Sequence, residues 1–328
     1  MSTYTLAIKT DLESGKGEKM QKMIRTNDLS KSYGKQPVLD GINIEVNCGD
    51  IYGFVGRNGA GKTTLMRILM GLSFASSGRF QLLEMDNPLE ARRFISAFIE
   101  QPAFYENMTA VQNLKNYCMM LGQSDENIKL SLELVGLRSD ENKKVKHYSL
   151  GMKQRLALAK ALTNQSKLII LDEPTNGLDP EGIEDLRKII RRLNQEKGVT
   201  FLISSHYLTE LQNVATRYGF IEKGKLCKEI DKHQLKNELN KKVLIETNHP
   251  QLAYALLIKD KKINTTIEIK KENEDICPQI VIEDNGIDIT QIYELFRNNN
   301  INIKSIQSKQ PTLEDYFFKV ISGRKVQP

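Results

Sequence analysis

An α/β domain built on a parallel sheet, followed by a smaller α+β domain, is the fold class that this sequence predicts. The apolar stretch IYGFV, residues 51–55, leads through a glycine-rich turn into a helical segment that Gly71 ends. A second apolar run, residues 168–171, ends in two carboxylates and is typical of a strand buried on both faces. After Gly224 short alternating segments begin, and 328 residues suffice for two domains.

Charge and cysteine usage narrow the class of protein. The net charge of +6 is mild for this length, and no block of like charge indicates a nucleic-acid partner. The four cysteines form no CxxC pair, which argues against a zinc site or a disulfide framework and suits a reducing cytosol. No run of 18 apolar residues predicts a membrane span. Residues 1–23 have no signal-peptide core, and we expect a flexible N-terminal extension there.

The glycine-rich turn after the first strand fits the phosphate-binding pattern G-x-x-x-x-G-K-[ST]. Backbone N–H groups and the start of the next helix can point at phosphate oxygens, while Lys62 reaches the β- and γ-phosphates and Thr63 holds Mg²⁺. The alternative is a turn that only connects a strand to a helix. We expect the loop to bind nucleotide through Gly56, Asn58, Gly59, Ala60, Gly61, Lys62, Thr63 and Thr64.

Two adjacent carboxylates follow the second apolar strand. Ligands bind at the carboxyl ends of strands in open α/β sheets, so Asp172 is placed to bind Mg²⁺. Glu173 can orient and deprotonate an attacking water. Acidic residues after a strand are also common in plain turns, and the phosphate-binding loop is what favours the catalytic interpretation.

The segment between these motifs, residues 147–167, predicts a helix capped by Ser149. With Gly151 in its first turn, the helix start is a candidate second anion site. Taken alone, the segment could equally be an ordinary amphipathic surface helix.

Residues from about 24 to 228 resemble the nucleotide-binding subunit of an ABC transporter. The motifs stand in the family's order, and YSLGM at 148–152 is similar to the family signature LSGGQ. Ser149 and Gly151 occupy matching positions, while Tyr148, Leu150 and Met152 replace the family's Leu, first Gly and Gln.

Four further residues match family motifs. Tyr33 resembles the aromatic residue that stacks on adenine, although a lone tyrosine could equally serve packing. Gln101 resembles the glutamine that senses Mg²⁺ and the attacking water. Asp179, in Gly-Leu-Asp, resembles the loop that crosses to the partner subunit, and His206 resembles the histidine that contacts the γ-phosphate.

The resemblance implies an ABC cassette of the P-loop NTPase class: a RecA-like core with a helical subdomain inserted over about residues 102–164. It implies ATP and Mg²⁺ as cofactors, Glu173, His206 and Gln101 as catalytic residues, and Thr63, Gln101 and Asp172 at the metal. In this family two copies sandwich ATP head to tail, so we expect a homodimer in which Ser149 of one copy faces the phosphates bound by the other.

The last third of the chain, residues 229–328, predicts a small accessory domain. Its segments alternate as strand, helix, strand, strand, helix and strand, a ferredoxin-like pattern. The expected elements are 242–247, 250–258, 265–271, 278–283, 288–298 and 301–307.

The ending PTLEDYFF, residues 311–318, resembles the terminal segment of drug- and bacteriocin-export ATPases. The leading hypothesis is therefore an ATPase subunit that powers export of a peptide antibiotic or drug through a separate membrane permease. It would be cytoplasmic and bound peripherally to the membrane through the permease. Two alternatives stay open: a soluble ABC ATPase acting as a nucleotide-switched assembly factor, and a module that uses ATP only to dimerise.

Overall fold

The computed structural model describes most of the chain. The described residues are 21–99, 103–139, 142–206, 208–212, 214–239, 242–259, 267–270, 279–283, 289–309 and 311–322. Within these ranges no helix is both long enough and apolar enough to cross a bilayer.

The described residues form three sheets with helices around them. The strands are β1 (Lys22–Tyr33), β2 (Gln36–Ile42), β3 (Glu45–Asn47), β4 (Ile51–Val55), β5 (Ser77–Leu82), β6 (Ile95–Phe98), β7 (Leu168–Asp172), β8 (Thr200–Ser205), β9 (Arg217–Glu222), β10 (Lys225–Asp231), β11 (Lys242–Thr247), β12 (Ile267–Lys270), β13 (Gln279–Glu283) and β14 (Ile303–Lys309). The helices are α1 (Lys62–Leu69), α2 (Pro88–Arg92), α3 (Ala110–Leu121), α4 (Ile128–Leu134), α5 (Leu150–Thr163), α6 (Pro180–Lys197), α7 (Leu208–Gln212), α8 (Lys232–Glu238), α9 (Pro250–Lys259), α10 (Ile289–Asn298) and α11 (Leu313–Ile321).

The largest sheet is the parallel one that the apolar runs predict. Its strand order is β10-β9-β4-β8-β7-β6, and only β10 runs antiparallel to its neighbour. Every residue of β4 is buried, because helices or strands cover both of its faces. The carboxyl ends of β4, β7 and β8 therefore meet at one edge of the sheet, where ligands of such sheets bind.

A four-stranded antiparallel sheet, with β1 paired to β2, β3 and β5, packs beside the parallel one. The first strand of this sheet begins at Lys22, before the expected boundary between the N-terminal extension and the first domain. Met23 is 2% exposed and belongs to the core, so the end of the stretch assigned to a flexible extension is part of β1. The rest of that expectation, residues 1–20, lies outside the described residues.

The predicted helical insertion is present in the described part of residues 102–164. Helix α3 begins with a capping box, in which Thr109 and Gln112 exchange side-chain and backbone hydrogen bonds. Leu114 of α3, Leu132 of α4 and Leu156 of α5 are all fully buried and share one core. This packing holds the N-terminal end of α5, and with it Ser149, in a fixed position.

The chain after β10 forms the sheet β12-β13-β11-β14, in which each pairing is antiparallel, and helices α9 and α10 follow β11 and β13. Its buried side chains, among them Val243, Ile280 and Phe296, form a hydrophobic core of their own. The treatment of this region as a separate domain stays a prediction.

The helices on either side of this small sheet pack elsewhere. Leu235 of α8 and Tyr316 and Phe317 of α11 belong to the same core as the parallel sheet. The rings of Tyr316 and Phe317 lie 5.5 Å and 5.9 Å from the ring of Phe220 in β9. The chain therefore returns to the first domain at its end, within the range 229–328 that the sequence assigns to the accessory domain.

Candidate nucleotide site

The glycine-rich loop connects β4 to α1 in a conformation that needs glycine. Gly61 has a φ of 108°, and a Cβ atom there would lie 2.8 Å from the Val38 carbonyl oxygen. Gly59 also has a positive φ, of 79°. Because α1 begins at Lys62, the loop leads directly into the positive end of a helix dipole, as the sequence predicts.

Lys62 is 5% exposed, which is unusual for a lysine. Its Nζ atom donates to the carbonyl oxygens of Gly56 at 2.6 Å and Arg57 at 3.2 Å. It also lies 3.1 Å from Oε1 of Glu173. The loop therefore surrounds a buried ammonium group that contacts two backbone carbonyl oxygens and one carboxylate.

Asp172 ends β7 and is held by two hydroxyl groups. Thr63 donates from Oγ1 to Oδ2 at 2.7 Å, and Ser204 of β8 donates from Oγ to Oδ1 at 2.5 Å. Two of the three residues that the sequence assigns to the metal, Thr63 and Asp172, are therefore in direct contact across the sheet edge. Gln101, assigned to the metal and to catalysis, lies outside the described residues.

Glu173 has a φ of 49°, in the left-handed region that residues with side chains rarely adopt. Its N–H donates to Ser204 Oγ at 2.8 Å, and its Oε2 lies 2.6 Å from Nδ1 of His206. Because an ionised carboxylate only accepts hydrogen bonds, Nδ1 carries the proton of this contact. Backbone strain held by such contacts is common where a side chain must be aimed at a reacting group.

The oxygen atoms of this site suit Mg²⁺ and a polyphosphate together. A threonine hydroxyl and one carboxylate provide few ligands, which is how proteins bind Mg²⁺ when phosphates and waters complete the octahedron. In the described part of the chain no three His, Cys, Asp or Glu side chains cluster as a metal site. The donor set therefore fits a nucleotide-bound ion rather than a metal bound by protein alone.

The helix cap predicted at Ser149 is present, while the anion site expected there stays a prediction. Ser149 caps α5, and its Oγ accepts from the N–H of Met152 at 3.2 Å. The start of this helix touches the next predicted loop, since a Cβ atom on Gly177 would lie 3.1 Å from Leu150 Cδ2. Asp179 closes that loop and caps α6, accepting from the Gly182 N–H at 2.9 Å. Ser149 is exposed, so its helix end is accessible to another molecule.

Tyr33 ends β1 and is 51% exposed, with Lys31 Nζ 4.8 Å from its ring centre. An exposed ring next to a cation is a suitable surface for a stacked base, and it has no role in the core. The adenine contact that the sequence assigns to Tyr33 stays a prediction.

Sequence reasoning missed two contacts to the phosphate-binding loop. The guanidinium carbon of Arg57 lies 5.5 Å from the ring centre of Phe318, which is 52% exposed on α11. The turn between β9 and β10 also reaches the loop, because the Gly224 N–H donates to the Ala60 carbonyl at 3.1 Å. Neither contact has a local sequence signal, since its partners are far apart in the chain.

Sequence reasoning also missed polar side chains behind Asp172 and Glu173. Ser204 contacts both Asp172 and the backbone of Glu173, and Glu210 of α7 accepts hydrogen bonds from Thr175 and from Ser205. The signal for the serines was two hydroxyls at the end of an otherwise apolar strand.

Comparisons with known proteins agree with this geometry. A family model described as ABC transporter matches residues 39–176. The bacitracin transport ATP-binding protein BcrA of Bacillus licheniformis is 40% identical over 315 residues, covering 93% of this chain and 99% of BcrA. The lantibiotic transport ATP-binding protein SrtF of Streptococcus pyogenes is 44% identical over 227 residues, which cover 68% of this chain and 99% of SrtF.

A solved structure shares the fold. The ATP-binding cassette MJ0796, in a dimeric structure described as a post-hydrolysis state bound to ADP and Pi, superposes with a TM-score of 0.57 at 23% identity. The match covers 64% of this chain and 99% of that one.

Proposed function

Because the chain belongs to the ABC transporter family of ATP-binding subunits, we propose that it powers the export of a peptide antibiotic through a separate membrane permease. The protein binds ATP and hydrolyses it, as the family does. The observation that carries the proposed site of hydrolysis is the cluster of Lys62, Thr63, Asp172, Glu173 and His206 at one edge of the parallel sheet.

The side chains of this cluster divide the chemistry among them. Lys62 leaves its carbonyl partners to bind the β- and γ-phosphates, and Thr63 and Asp172 hold Mg²⁺, which neutralises phosphate charge when it is bound. Glu173 accepts the proton of the attacking water. His206 holds the Glu173 carboxylate in place through Nδ1.

Two copies complete each site. Ser149 and Gly151 lie at an exposed helix start that can donate N–H groups to the γ-phosphate on another copy. The dimeric structure of MJ0796 supports this arrangement by analogy of fold. ATP then joins the two copies, and loss of the γ-phosphate separates them.

The export proposal rests on the names of the relatives. BcrA is named for bacitracin transport and SrtF for lantibiotic transport, and both substrates are peptide antibiotics. Transport needs a membrane-spanning partner, so we place the chain on the cytoplasmic face of the membrane, bound to a permease. The alternative of a soluble assembly factor is not favoured, because neither relative is named for such a role.

Drug sensitivity of the native host tests the proposal. Glu173→Gln introduced at the chromosomal locus should lower the inhibitory concentration of bacitracin or of a lantibiotic several-fold, while Glu196→Ala, an exposed pair with Arg192, should leave it unchanged. Affinity purification of the tagged chain should recover an integral membrane protein.

Two results would contradict the proposal. Unchanged sensitivity to both peptide classes would reject peptide export, and a chain that purifies without any membrane protein would reject the transporter role. ATP hydrolysis by the purified chain, measured in parallel, would separate either failure from loss of the enzyme itself.

A further inference from the structure

The two serines that end β8 face opposite sides of the sheet. Side chains alternate along a strand, so Ser204 points toward Asp172 and the backbone of Glu173, while Ser205 points toward Glu210. Ser204 and Ser205 are 0% and 1% exposed. The end of β8 therefore touches the catalytic carboxylates on one side and a third carboxylate on the other.

Glu210 joins the two chain segments that carry the catalytic pair. Its Oε2 atom accepts from Ser205 Oγ at 2.9 Å and, in a shorter contact, from Thr175 Oγ1. Thr175 follows Glu173 by two residues, and Ser205 directly precedes His206. One oxygen atom thus connects the segment after Glu173 to the segment before His206.

The backbone around Glu210 is fixed from a different helix. Arg187 of α6 donates from Nε to the Glu210 carbonyl at 3.0 Å and from Nη2 to the Thr209 carbonyl at 3.1 Å. Helix α7 has five residues, and the carbonyls in the last turn of a helix need donors from outside it, which Arg187 provides here. Helix α6 begins directly after Asp179, so the loop expected to cross to the partner is connected to the same assembly.

Glu210 is partly buried, and its carboxylate oxygen Oε2 accepts from two hydroxyl groups. Removing part of a carboxylate from water costs free energy, which such hydrogen bonds offset. The compensating donors, Thr175 and Ser205, both flank the catalytic pair. We propose that Glu210 is a positioning residue for ATP hydrolysis, which holds His206 against Glu173 and connects this pair to the Asp179 loop.

The proposal rests on the ATPase assignment and concerns the arrangement of its site. Glu210 touches neither the expected nucleotide nor the reacting water, and it acts through the relative placement of His206 and Glu173. A displacement of about 1 Å between such groups can cost about 100-fold in rate. We therefore expect kcat, and not nucleotide binding, to depend on Glu210.

Steady-state ATP hydrolysis by the full-length chain tests this dependence. Glu210→Ala should lower kcat by about 10- to 100-fold with the KM for ATP changed less than about threefold. Glu210→Gln should keep most of the activity, because one amide oxygen can accept from both hydroxyls. Thr175→Val, which removes one of the two donors to Glu210, should also lower kcat. Combining Thr175→Val with Glu210→Ala should lower kcat no further than Glu210→Ala alone. Glu196→Ala is the control on the exposed side of α6.

A spectroscopic measurement reports on His206 without relying on turnover. The chain contains four histidines, so the imidazole signals of histidine-labelled protein can be assigned by single substitutions. The His206 signal should shift in Glu210→Ala and in Thr175→Val, and the other three should stay in place.

These outcomes separate the possibilities. Normal kcat in folded Glu210→Ala, or a loss that Glu210→Gln fails to rescue while the His206 signal stays unchanged, would overturn the proposal. If Glu210→Ala does not fold, normal kcat and an unmoved His206 signal in Thr175→Val overturn it. An inactive wild-type chain would instead refute the ATPase assignment. The His206 signal alone would then decide whether Glu210 positions His206.

Discussion

The ammonium group of Lys62 lies 3.1 Å from the Glu173 carboxylate, at a site where both side chains are largely buried. The cation expected to bind nucleotide phosphates and the carboxylate expected to activate water therefore neutralise each other in this conformation. ATP must compete with Glu173 for Lys62. We therefore expect binding and catalysis to be linked, because phosphates that bind Lys62 would also release one oxygen of the Glu173 carboxylate.

Glu173→Gln should strengthen ATP binding while it slows hydrolysis. The amide removes the charge that competes for Lys62, so the Kd for ATP should fall by about two- to fivefold. Loss of the general base should lower kcat by at least about 100-fold. Equilibrium titration with a fluorescent ATP analogue and a phosphate-release assay measure the two effects, and light scattering should show a dimer with ATP and Mg²⁺.

Weaker ATP binding by Glu173→Gln would mean that the Lys62 contact does not oppose the nucleotide. Turnover at the wild-type rate would place the general base elsewhere, with His206 the next candidate.

Ser149→Arg should separate nucleotide binding from dimer formation. The phosphate-binding loop is untouched, so ATP should bind the monomer almost normally. The arginine side chain blocks the helix start that a second copy presents to the γ-phosphate, so ATP-driven dimerisation and turnover should be lost. Size-exclusion chromatography with and without ATP measures the change, and wild-type turnover by this variant would rule out the assigned role.

A mixture of Ser149→Arg and Lys62→Ala chains tests whether sites form between copies. The heterodimer has one face with an intact loop and an intact Ser149, and one face that lacks both. We expect the mixture to occlude ATP where neither variant does so alone. Mixtures shown to contain heterodimer but no occluded ATP would argue against a shared site.

Phe318→Trp should report nucleotide binding from the end of the chain. The sequence contains no tryptophan, so the new side chain is the only indole fluorophore, and indole retains the contact with the Arg57 cation. Phosphates at the loop should draw Arg57 away from the ring. Its emission should therefore change with ATP along the same curve as direct binding.

Two matched variants control this measurement. Arg57→Ala in the Phe318→Trp chain should abolish the response. A tryptophan in place of Tyr293, which is 50% exposed on α10, should not respond to ATP. If the emission of the Phe318→Trp chain does not change at saturating ATP, then α11 does not respond to nucleotide at the loop.

The capping box of α11 should make its packing sensitive to acid. The backbone N–H and hydroxyl of Thr312, together with Lys309, hold the pKa of Asp315 below its ordinary value of 3.8. A lowered folded pKa means that this carboxylate stabilises the fold above the ordinary value, and the contribution is lost as the pH falls through the folded value. Urea unfolding of the Asp315 chain and of Asp315→Ala, followed by Phe318→Trp emission, measures it.

The two chains should differ by a constant amount from pH 7 to about pH 5 and converge below pH 4. A difference that persists unchanged at pH 3 would show that the Asp315 charge does not stabilise α11.

The sequence predicted the parts of the site that local chain geometry determines. The loop from β4 to α1, the carboxylates after β7 and the cap at Ser149 each depend on a few consecutive residues, so spacing and residue type reveal them. The structure places the loop and the two carboxylates at one sheet edge because parallel strands end together.

What the sequence missed depends on contacts between distant residues. Ser204, Glu210 and Arg187 make their contacts only when β7, β8, α6 and α7 are adjacent, and no local pattern marks Glu210 or Arg187. The same holds for α11, because the ending at residues 311–318 gives a resemblance to export ATPases and no signal for the surface that this helix covers. The sequence also does not predict the left-handed φ of Glu173, since residues with side chains rarely adopt this conformation.

The packing of α8 and α11 in a single core gives the small sheet two attachments to the cassette instead of one. In chain order, residues 242–309 are an insertion between α8 and α11, which pack in the same core. An insertion can be excised, whereas truncation before α11 would uncover Phe220. A shortened chain that joins residue 239 to residue 311 through a glycine-serine linker would keep both helices, and it offers a minimal cassette for crystallisation.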